Sequence, residues 1–231
     1  MIGPEQGLGN ALRFLLEGDP QTMEAISVSL QVSGAALAGA ALFGIPLGLS
    51  LALIRFPGRR WVRLVLRTLQ AMPTVVVGLV LFGLLSRSGA LGGWQILFTK
   101  TAMALGQGIL VLPIVVCLVD SAVAGADHRV LDTALSLGAG RLRAGLTVLS
   151  DRRSAVVVAL AAAFGRAFSE VGISAMVGGN IAGRTRNLTT GILLDTGKGE
   201  FARGLALGLV LLTVALGLNL LVQVLEGGEN E

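Results

Sequence analysis

Charged residues, cysteine, histidine and tyrosine are all scarce in this sequence. Only 14% of its 231 residues are charged, against about 25% in a typical soluble domain, so the chain lacks the charge to cover a soluble surface. The single cysteine, Cys117, cannot form an intrachain disulfide, and the single histidine, His128, cannot build a histidine metal site or a catalytic triad. These absences exclude a disulfide scaffold, a disordered chain and a soluble nucleic-acid binder, and we predict no catalytic residues, metal or cofactor.

The abundant residues are apolar, and they fall in long runs. Apolar residues make up 53% of the chain, and the mean hydropathy is +0.79. About 20 helical residues cross the roughly 30 Å hydrocarbon core of a membrane, where backbone groups must be satisfied internally. Five runs are long enough, at residues 25–54, 68–86, 101–119, 154–177 and 204–225. We therefore predict an all-α polytopic membrane protein with about five transmembrane helices, in a domain over residues 25–225 flanked by segments 1–24 and 226–231.

The basic residues are distributed unevenly between the two sides of this predicted domain. The loops after the first and third runs hold ten Lys and Arg residues in about 46 positions, whereas the other side holds seven in about 63. Cytoplasmic loops carry the excess of Lys and Arg. We therefore expect a multi-pass protein of the cell (inner) membrane, with its N-terminus outside and its C-terminal tail in the cytoplasm.

Prolines and glycines mark irregular points within the runs. Pro46, Pro73 and Pro113 each remove a backbone donor and predict a bend. Such a bend either improves packing or opens a path between helices. Gly44 and Gly48, four residues apart, would allow another helix to approach closely.

One run contains two ionisable residues. Arg166 and Glu170 are four residues apart, so in a helix they share one face. Each costs at least about 2.5–3.5 kcal/mol to insert at the centre of a membrane helix, and pairing lowers that cost. Two interpretations stay open: a structural ion pair that locks the helix to its neighbours, and a polar element of a translocation path.

The segment between the third and fourth runs predicts a helix, a turn and a second helix. An apolar stripe ends at Leu137, the sequence Gly138-Ala139-Gly140 interrupts it, and a basic amphipathic stretch follows from Arg141 through Val148. A short helix with an exposed apolar face suits docking into a groove on a partner. The alternative is a helix that lies on the membrane surface.

This segment also carries a family resemblance. Asp132-Thr133-Ala134-x-x-x-Gly138, with Val148 ten residues later, resembles the coupling-loop signature of ABC importer permeases. That pattern reads Glu-Ala-Ala, three residues, Gly, nine residues, then Ile-x-Leu-Pro, so Asp132 and Thr133 replace its Glu and first Ala. Ser150 and Asp151 replace its Leu-Pro ending. The resemblance implies an ATPase-coupling loop of seven residues: Asp132, Thr133, Ala134, Leu137, Gly138, Arg141 and Val148.

A narrower resemblance covers residues 24–224, most of the chain. The stretches at 72–79, 165–172, 176–181 and 185–190 are similar to those of tungstate-type oxyanion importer permeases. The resemblance implies a type I ABC importer permease fold and ATP-driven import of an oxyanion, with tungstate favoured and molybdate or vanadate as alternatives. The chain would be a transporter subunit and not an enzyme, because it contains no nucleotide-binding domain and a separate chain must hydrolyse ATP.

The same resemblance implies a set of partners. A second copy of the chain would complete a homodimer within membrane lipid, a cytoplasmic ABC ATPase dimer would dock on the loops around Gly138, and an extracytoplasmic oxyanion-binding protein would deliver the anion. Nucleic acid is not among the expected partners.

Candidate pathway residues come from the predicted spans and from the loop 178–203. Hydroxyls, amides and cations suit contacts with an oxyanion, although the loop could instead be solvated or form a surface for the binding protein. The residues assigned to the translocation pathway are Thr74, Arg166, Glu170, Asn180 and Thr189.

Two other classes of function stay open at this stage. A stand-alone channel or ion-coupled carrier would need repeated halves or several buried ionisable groups, and the sequence shows one intramembrane pair and no convincing repeat. A membrane assembly factor would bind partners without moving a solute.

Overall fold

The computed structural model describes residues 19–227, and every regular element in that range is helical. Most of the predicted segments 1–24 and 226–231 therefore lies outside the described residues. The helices are α1 Pro20–Leu53, α2 Arg59–Gln70, α3 Thr74–Leu85, α4 Lys100–Ala124, α5 His128–Ser136, α6 Arg141–Asp151, α7 Arg153–Phe168, α8 Gly172–Gly178, α9 Leu188–Gly197 and α10 Phe201–Gly227, with a 3₁₀ turn at Gly92–Trp94. The predicted all-α class is confirmed.

Three helices are individually long and apolar enough to cross a membrane. They are α1, with 34 residues, α4, with 25, and the part of α10 at Phe201–Val224, with 24. These helices overlie the predicted spans 25–54, 101–119 and 204–225. Two further pairs, α2 with α3 and α7 with α8, qualify as bent units, which brings the number of candidate spans to five if each pair is one span.

Residues 68–86 do not form one continuous helix, and the bend predicted at Pro73 is present. The structure has α2 ending at Gln70 and α3 beginning at Thr74, with a 94° bend between them. Pro73 occupies the N-cap position of α3 in an extended conformation. Proline lacks an amide donor and disfavours helix at the residue before it, so the helix cannot continue through this point. By contrast, Pro46 and Pro113 lie inside α1 and α4.

The prediction of one continuous helix over 154–177 is wrong. Helix α7 ends at Phe168 and α8 begins at Gly172, with a 56° bend. Between them the carboxylate of Glu170 accepts a hydrogen bond from the backbone amide of Ile173 at 3.1 Å. This side-chain bond satisfies a donor at the start of α8 that has no carbonyl partner within the helix. We call residues 169–171 the α7–α8 break.

Helices α1 and α4 run side by side in the same direction and form the centre of the molecule. Ser33 hydrogen bonds to Gln107, and further along both helices Gly48 meets Val116 and Val119. A Cβ added to Gly48 would lie 2.7 Å from the Val116 carbonyl oxygen. The absence of a side chain at Gly48 therefore sets the distance between the two helices.

The remaining helices cover this central pair. Ala163 and Ala167 of α7 pack with Val111, Val115 and Val119 of α4. Phe168 packs with Ala25 of α1, Leu188 of α9 and Leu207 of α10 in a second cluster. The α7–α8 break is thereby placed against the core, next to α9.

Candidate functional site

Helices α5 and α6 form a compact projection, which we call the α5–α6 elbow (residues 128–151). Gly138, at the turn, has a φ of +85°, a left-handed conformation that glycine adopts without a steric penalty. The helix, turn and helix predicted from the sequence are confirmed. Leu137 and Leu142 lie beside the turn with 83% and 67% of their surface exposed, so the tip of the elbow presents two large apolar side chains, next to the exposed Arg141.

The opposite side of the elbow packs onto the helical core. Val148 and Ala144 of α6 are buried, and Val148 lies in one cluster with Leu49 of α1 and Val123 of α4. A Cβ on Gly145 would collide with the side chain of Leu53. A displacement of the elbow would therefore act directly on the last turns of α1 and α4.

The structure divides the predicted coupling residues between these two sides. Val148 faces the core and Ala134 is half-buried. The exposed members are Asp132, Thr133, Leu137, Gly138 and Arg141. The predicted coupling residues therefore include both an exposed surface of the elbow and a residue, Val148, that packs against the core.

Arg166 and Glu170, predicted to share a face, do form an ion pair. Arg166 Nη1 donates to Glu170 Oε2 at 2.8 Å, although Glu170 lies beyond the end of α7. Glu170 is only 2% exposed, and its other carboxylate oxygen accepts from the Ile173 amide. Both oxygens of this buried carboxylate are thus satisfied by the protein, as a buried charge requires.

Two more of the predicted pathway residues adjoin the α7–α8 break. Thr189, in the first turn of α9, donates its hydroxyl to the main-chain carbonyl of Glu170 at 2.8 Å. Thr74, at the start of α3, lies against Gly172, because a Cβ there would be 2.8 Å from the Thr74 hydroxyl oxygen. The structure therefore brings Thr74, Arg166, Glu170 and Thr189 together.

Asn180 belongs to a neighbouring loop. Its amide donates to the Thr190 carbonyl at 3.2 Å, and its side-chain oxygen accepts from Arg186 Nε at 3.3 Å. With a φ of +50°, Asn180 is a turn residue whose polar groups hold the loop before α9. The side-chain groups of Asn180 that were predicted to contact an oxyanion are therefore hydrogen bonded within the protein.

A buried polar chain that the sequence reasoning missed runs through the core. Ser33 Oγ donates to Gln107 Oε1 at 3.2 Å, and Gln107 Nε2 donates to Ser174 Oγ at 3.1 Å. Asn187 Nδ2 donates to the same serine oxygen at 3.1 Å. Only 2% or less of each of these four residues is exposed. The signal available in the sequence was Gln107, an amide within the otherwise apolar run 101–119, but a search for charges passes over neutral polar residues.

A second polar contact joins the ends of the first and last long helices. Asp19 caps α1 by accepting from the Thr22 amide at 3.0 Å and pairs with Arg203 of α10 at 2.9 Å. Partial burial opposes ionisation of Asp19, but the hydrogen bonds from Arg203 and Thr22 prevail and lower its pKa below the usual value. Among the described residues, no group of three or more His, Cys, Asp or Glu residues could hold a metal ion.

The arrangement of spans, breaks and elbow is similar to that of a solved ABC transporter. A solved inward-facing structure of the MetNI methionine ABC transporter aligns with a TM-score of 0.67, covering 89% of this chain and 96% of that chain at 13% identity. A second crystal form aligns with a TM-score of 0.70, covering 88% of this chain and 95% of that one at 15% identity. At these identities the likeness concerns the fold alone, and the predicted fold class is confirmed.

The sequence relationship defines the family. Residues 44–228 match the binding-protein-dependent transport system inner membrane component family, and the chain belongs to it. The chain is therefore a subunit of a transport system of the inner membrane and not an enzyme.

Several curated relatives align over most of the chain. A probable anion ABC transporter permease protein of Haloferax volcanii is 44% identical, covering 84% of this chain and 86% of its own length. Tungstate uptake system permease proteins TupB are 36% identical in Peptoclostridium acidaminophilum, covering 96% of this chain and 97% of the relative, and 39% identical in Campylobacter jejuni, covering 95% and 92%. The resemblance to tungstate-type permeases is confirmed.

Proposed function

We propose that this chain is the permease subunit of an ATP-driven oxyanion importer whose principal cargo is tungstate. The observation that carries the proposal is the likeness to two tungstate permeases along nearly the whole chain, at 36% and 39% identity. A molybdenum permease of Escherichia coli is 31% identical over 79% of the chain, and a sulfate permease of the same organism is 27% identical over 86%. This order of similarity favours tungstate, with molybdate or vanadate as the alternative cargo.

The α5–α6 elbow is the proposed docking point for a cytoplasmic ATPase dimer. Its tip presents Leu137 and Leu142 to solvent, and apolar helix surfaces of this kind fit a groove on a partner. Its inner side, through Val148, rests on α1 and α4. Movement of the ATPases would then be transmitted as a rigid-body displacement of the elbow to the spans.

Orientation and assembly complete the proposal. The elbow and the arginine-rich start of α2 would face the cytoplasm together with the C-terminal tail, in agreement with the excess of basic residues on that side, while the N-terminus would lie outside. Two copies of the chain in membrane lipid would enclose the path, and an extracytoplasmic binding protein would deliver the anion. Thr74, Arg166, Glu170 and Thr189 would lie beside that path, with Asn180 in the outer loop next to it.

Anion uptake by the complete transporter tests the cargo. The permease, its ATPase and its binding protein are reconstituted in liposomes, and uptake of tungstate is measured with an excess of molybdate, vanadate or sulfate. We expect ATP-dependent uptake of labelled tungstate that an excess of unlabelled tungstate inhibits more strongly than the same excess of molybdate, vanadate or sulfate does. Stronger competition by molybdate or vanadate would reassign the cargo, and uptake without ATP would favour a stand-alone carrier.

Substitution at the elbow tests the docking point. We expect L137E to abolish co-purification of the ATPase, because it places a charge at the centre of the exposed apolar tip. W94E is the matched control, since Trp94 is also exposed, at 60%, but belongs to the turn between α3 and α4. Retention of the ATPase by L137E would contradict the assignment.

A further inference from the structure

Arg166 is a cation deep within a spanning unit, yet it is not enclosed. It lies thirteen residues after the first residue of α7, or about 20 Å along the helix at 1.5 Å per residue, whereas the hydrocarbon core is about 30 Å thick. The side chain is nevertheless 36% exposed. A charge exposed to lipid at this depth is strongly disfavoured, so charged groups in spans face a protein interior or a water-filled cavity.

The surface around Arg166 differs from the surfaces that suit lipid. Ala162 lies one turn before Arg166 on the same side of α7, and Ser169 lies three residues after it; both are exposed. On α10, by contrast, the exposed side carries Leu212 and Leu216, which are 65% and 59% exposed. Large apolar side chains suit the bilayer, while small and polar side chains around a cation suit water or a partner surface.

The guanidinium also keeps unused donors. Arg166 Nη1 is held by Glu170, and within residues 19–227 no hydrogen bond from Nε or Nη2 of Arg166 is seen. An arginine presents its N–H groups in a planar fork that matches the oxygens of an oxyanion. Glu170 therefore holds Nη1 of Arg166, while Nε and Nη2 keep N–H groups that could donate to an oxyanion.

We propose that Arg166 is a direct contact for the oxyanion on its way through the membrane, and that Glu170 is the positioning residue that aims it. This inference rests on the proposed function and names the residue that meets the cargo. Glu170 is suited to this role because it is buried, accepts from the Ile173 amide and is linked through its carbonyl to Thr189. The guanidinium is thus linked through Glu170 to the junction of α7, α8 and α9.

The pairing also limits how tightly an anion can bind. Glu170 offsets the positive charge of Arg166, so the site attracts an anion through its free donors without trapping it. A pathway contact of this kind suits passage, since an anion must leave as readily as it arrives.

Accessibility of the α7 surface gives the first test. In a C117A background, which removes the only cysteine, A162C is treated with a membrane-impermeant, positively charged methanethiosulfonate reagent in the reconstituted complex. We expect A162C to react at least tenfold faster than L216C, the matched control on the apolar side of α10. Equal, slow reaction of the two variants would overturn the proposal, because Ala162 would then face lipid or a dry interface.

Transport by charge variants gives the second test, with tungstate as the probe anion. We expect R166Q to lower tungstate uptake at least tenfold while ATPase activity stimulated by the binding protein stays within about twofold, and R166K to retain an intermediate rate because it keeps the charge but loses the fork. E170Q, which keeps an acceptor for Ile173, should change the KM for tungstate more than the maximal rate. R203Q is the control, since Arg203 forms its ion pair with Asp19 away from the break.

The outcomes separate this inference from the proposed function. Absence of ATP-dependent tungstate uptake in the wild-type complex rejects the proposed function. Normal uptake in the wild type together with normal uptake by R166Q rejects the role of Arg166 alone. Equal uptake losses in R166Q and R203Q also reject it, because the effect would then be structural.

Discussion

Arg63 holds Asp120 through two parallel hydrogen bonds, both of 2.7 Å, from Nε and Nη2 to the two carboxylate oxygens. Asp120, near the end of α4, is 6% exposed, and Arg63 lies on α2, so the pair joins the arginine-rich helix to the centre of the molecule. Bidentate pairs of this kind are stronger and more directional than single charge-assisted bonds.

Removal of the carboxylate should destabilise this junction. We expect D120N to lower the free energy of unfolding by about 2 kcal/mol, because a charge-assisted pair is lost and Arg63 keeps no carboxylate partner. Thermal unfolding in detergent measures the change. R60Q serves as the control, since Arg60 is exposed on the same helix; a shift in R60Q as large as that in D120N would contradict this account.

Replacement of two glycines of α1 by alanine should have different effects on the free energy of unfolding. A Cβ at Gly48 would lie 2.7 Å from the Val116 carbonyl oxygen, whereas nothing lies within 4 Å of a Cβ at Gly39. We expect G48A to destabilise by about 1–3 kcal/mol through overpacking and G39A to be neutral or stabilising by up to about 1 kcal/mol, because alanine favours helix. Parallel unfolding curves of the two variants measure both effects, and equal shifts would show that the contact between α1 and α4 does not depend on Gly48.

Loss of the buried amide at Gln107 should be costly. We expect Q107L to reduce the free energy of unfolding by about 1–3 kcal/mol, because the buried Ser33 hydroxyl loses its acceptor and Ser174 keeps only the donor from Asn187. The same substitution at Gln31, which is exposed and bonds to Ser27 and Lys100, should change stability by less than about 0.5 kcal/mol. A small effect of Q107L would indicate that the polar chain contributes little to stability.

The contact between Asp19 and Arg203 should make stability depend on acidity. Since the pKa of Asp19 in the folded protein is below its ordinary value of 3.8, the stabilisation is fully present above that value and is lost as the pH falls through the folded pKa. We expect the difference in melting temperature between the wild type and D19N to be constant from about pH 8 to pH 5 and to shrink below about pH 4. If the difference in melting temperature grew on acidification, the pKa of Asp19 would not be lowered in the folded protein.

Local patterns in the sequence accounted for much of the fold. Runs of apolar residues located α1, α4 and α10, because the length needed to cross a bilayer is a property of one segment. Gly138 marked the turn of the elbow, because a left-handed residue that ends a helix is also a local feature of the chain. The spacing of Arg166 and Glu170 also predicted their ion pair.

The same local reasoning failed where charges were used to mark the ends of spans. The arginines at 59–67 set the predicted start of the span at residue 68. Helix α2 nevertheless extends through all of them, because its arginines and apolar residues separate onto different faces. At the α7–α8 break, the run 154–177 carries Arg166 and Glu170, but their spacing predicted a shared helix face and not the end of a helix. At the break, the Ile173 amide donates to the Glu170 carboxylate and the Thr189 hydroxyl donates to the Glu170 carbonyl, and the second of these donors comes from another helix.

The sequence alone determined that this protein is an assembly of apolar helices with a projecting elbow, since hydropathy, helix period and glycine conformation act within a few residues. Only the tertiary structure decided which polar groups meet inside it. Gln107 and Ser174 are 67 residues apart and Ser29 and Leu188 are 159 apart, and no local spacing relates them. Their pairing follows from the close approach of helices in a core where an unpaired polar group is unfavourable.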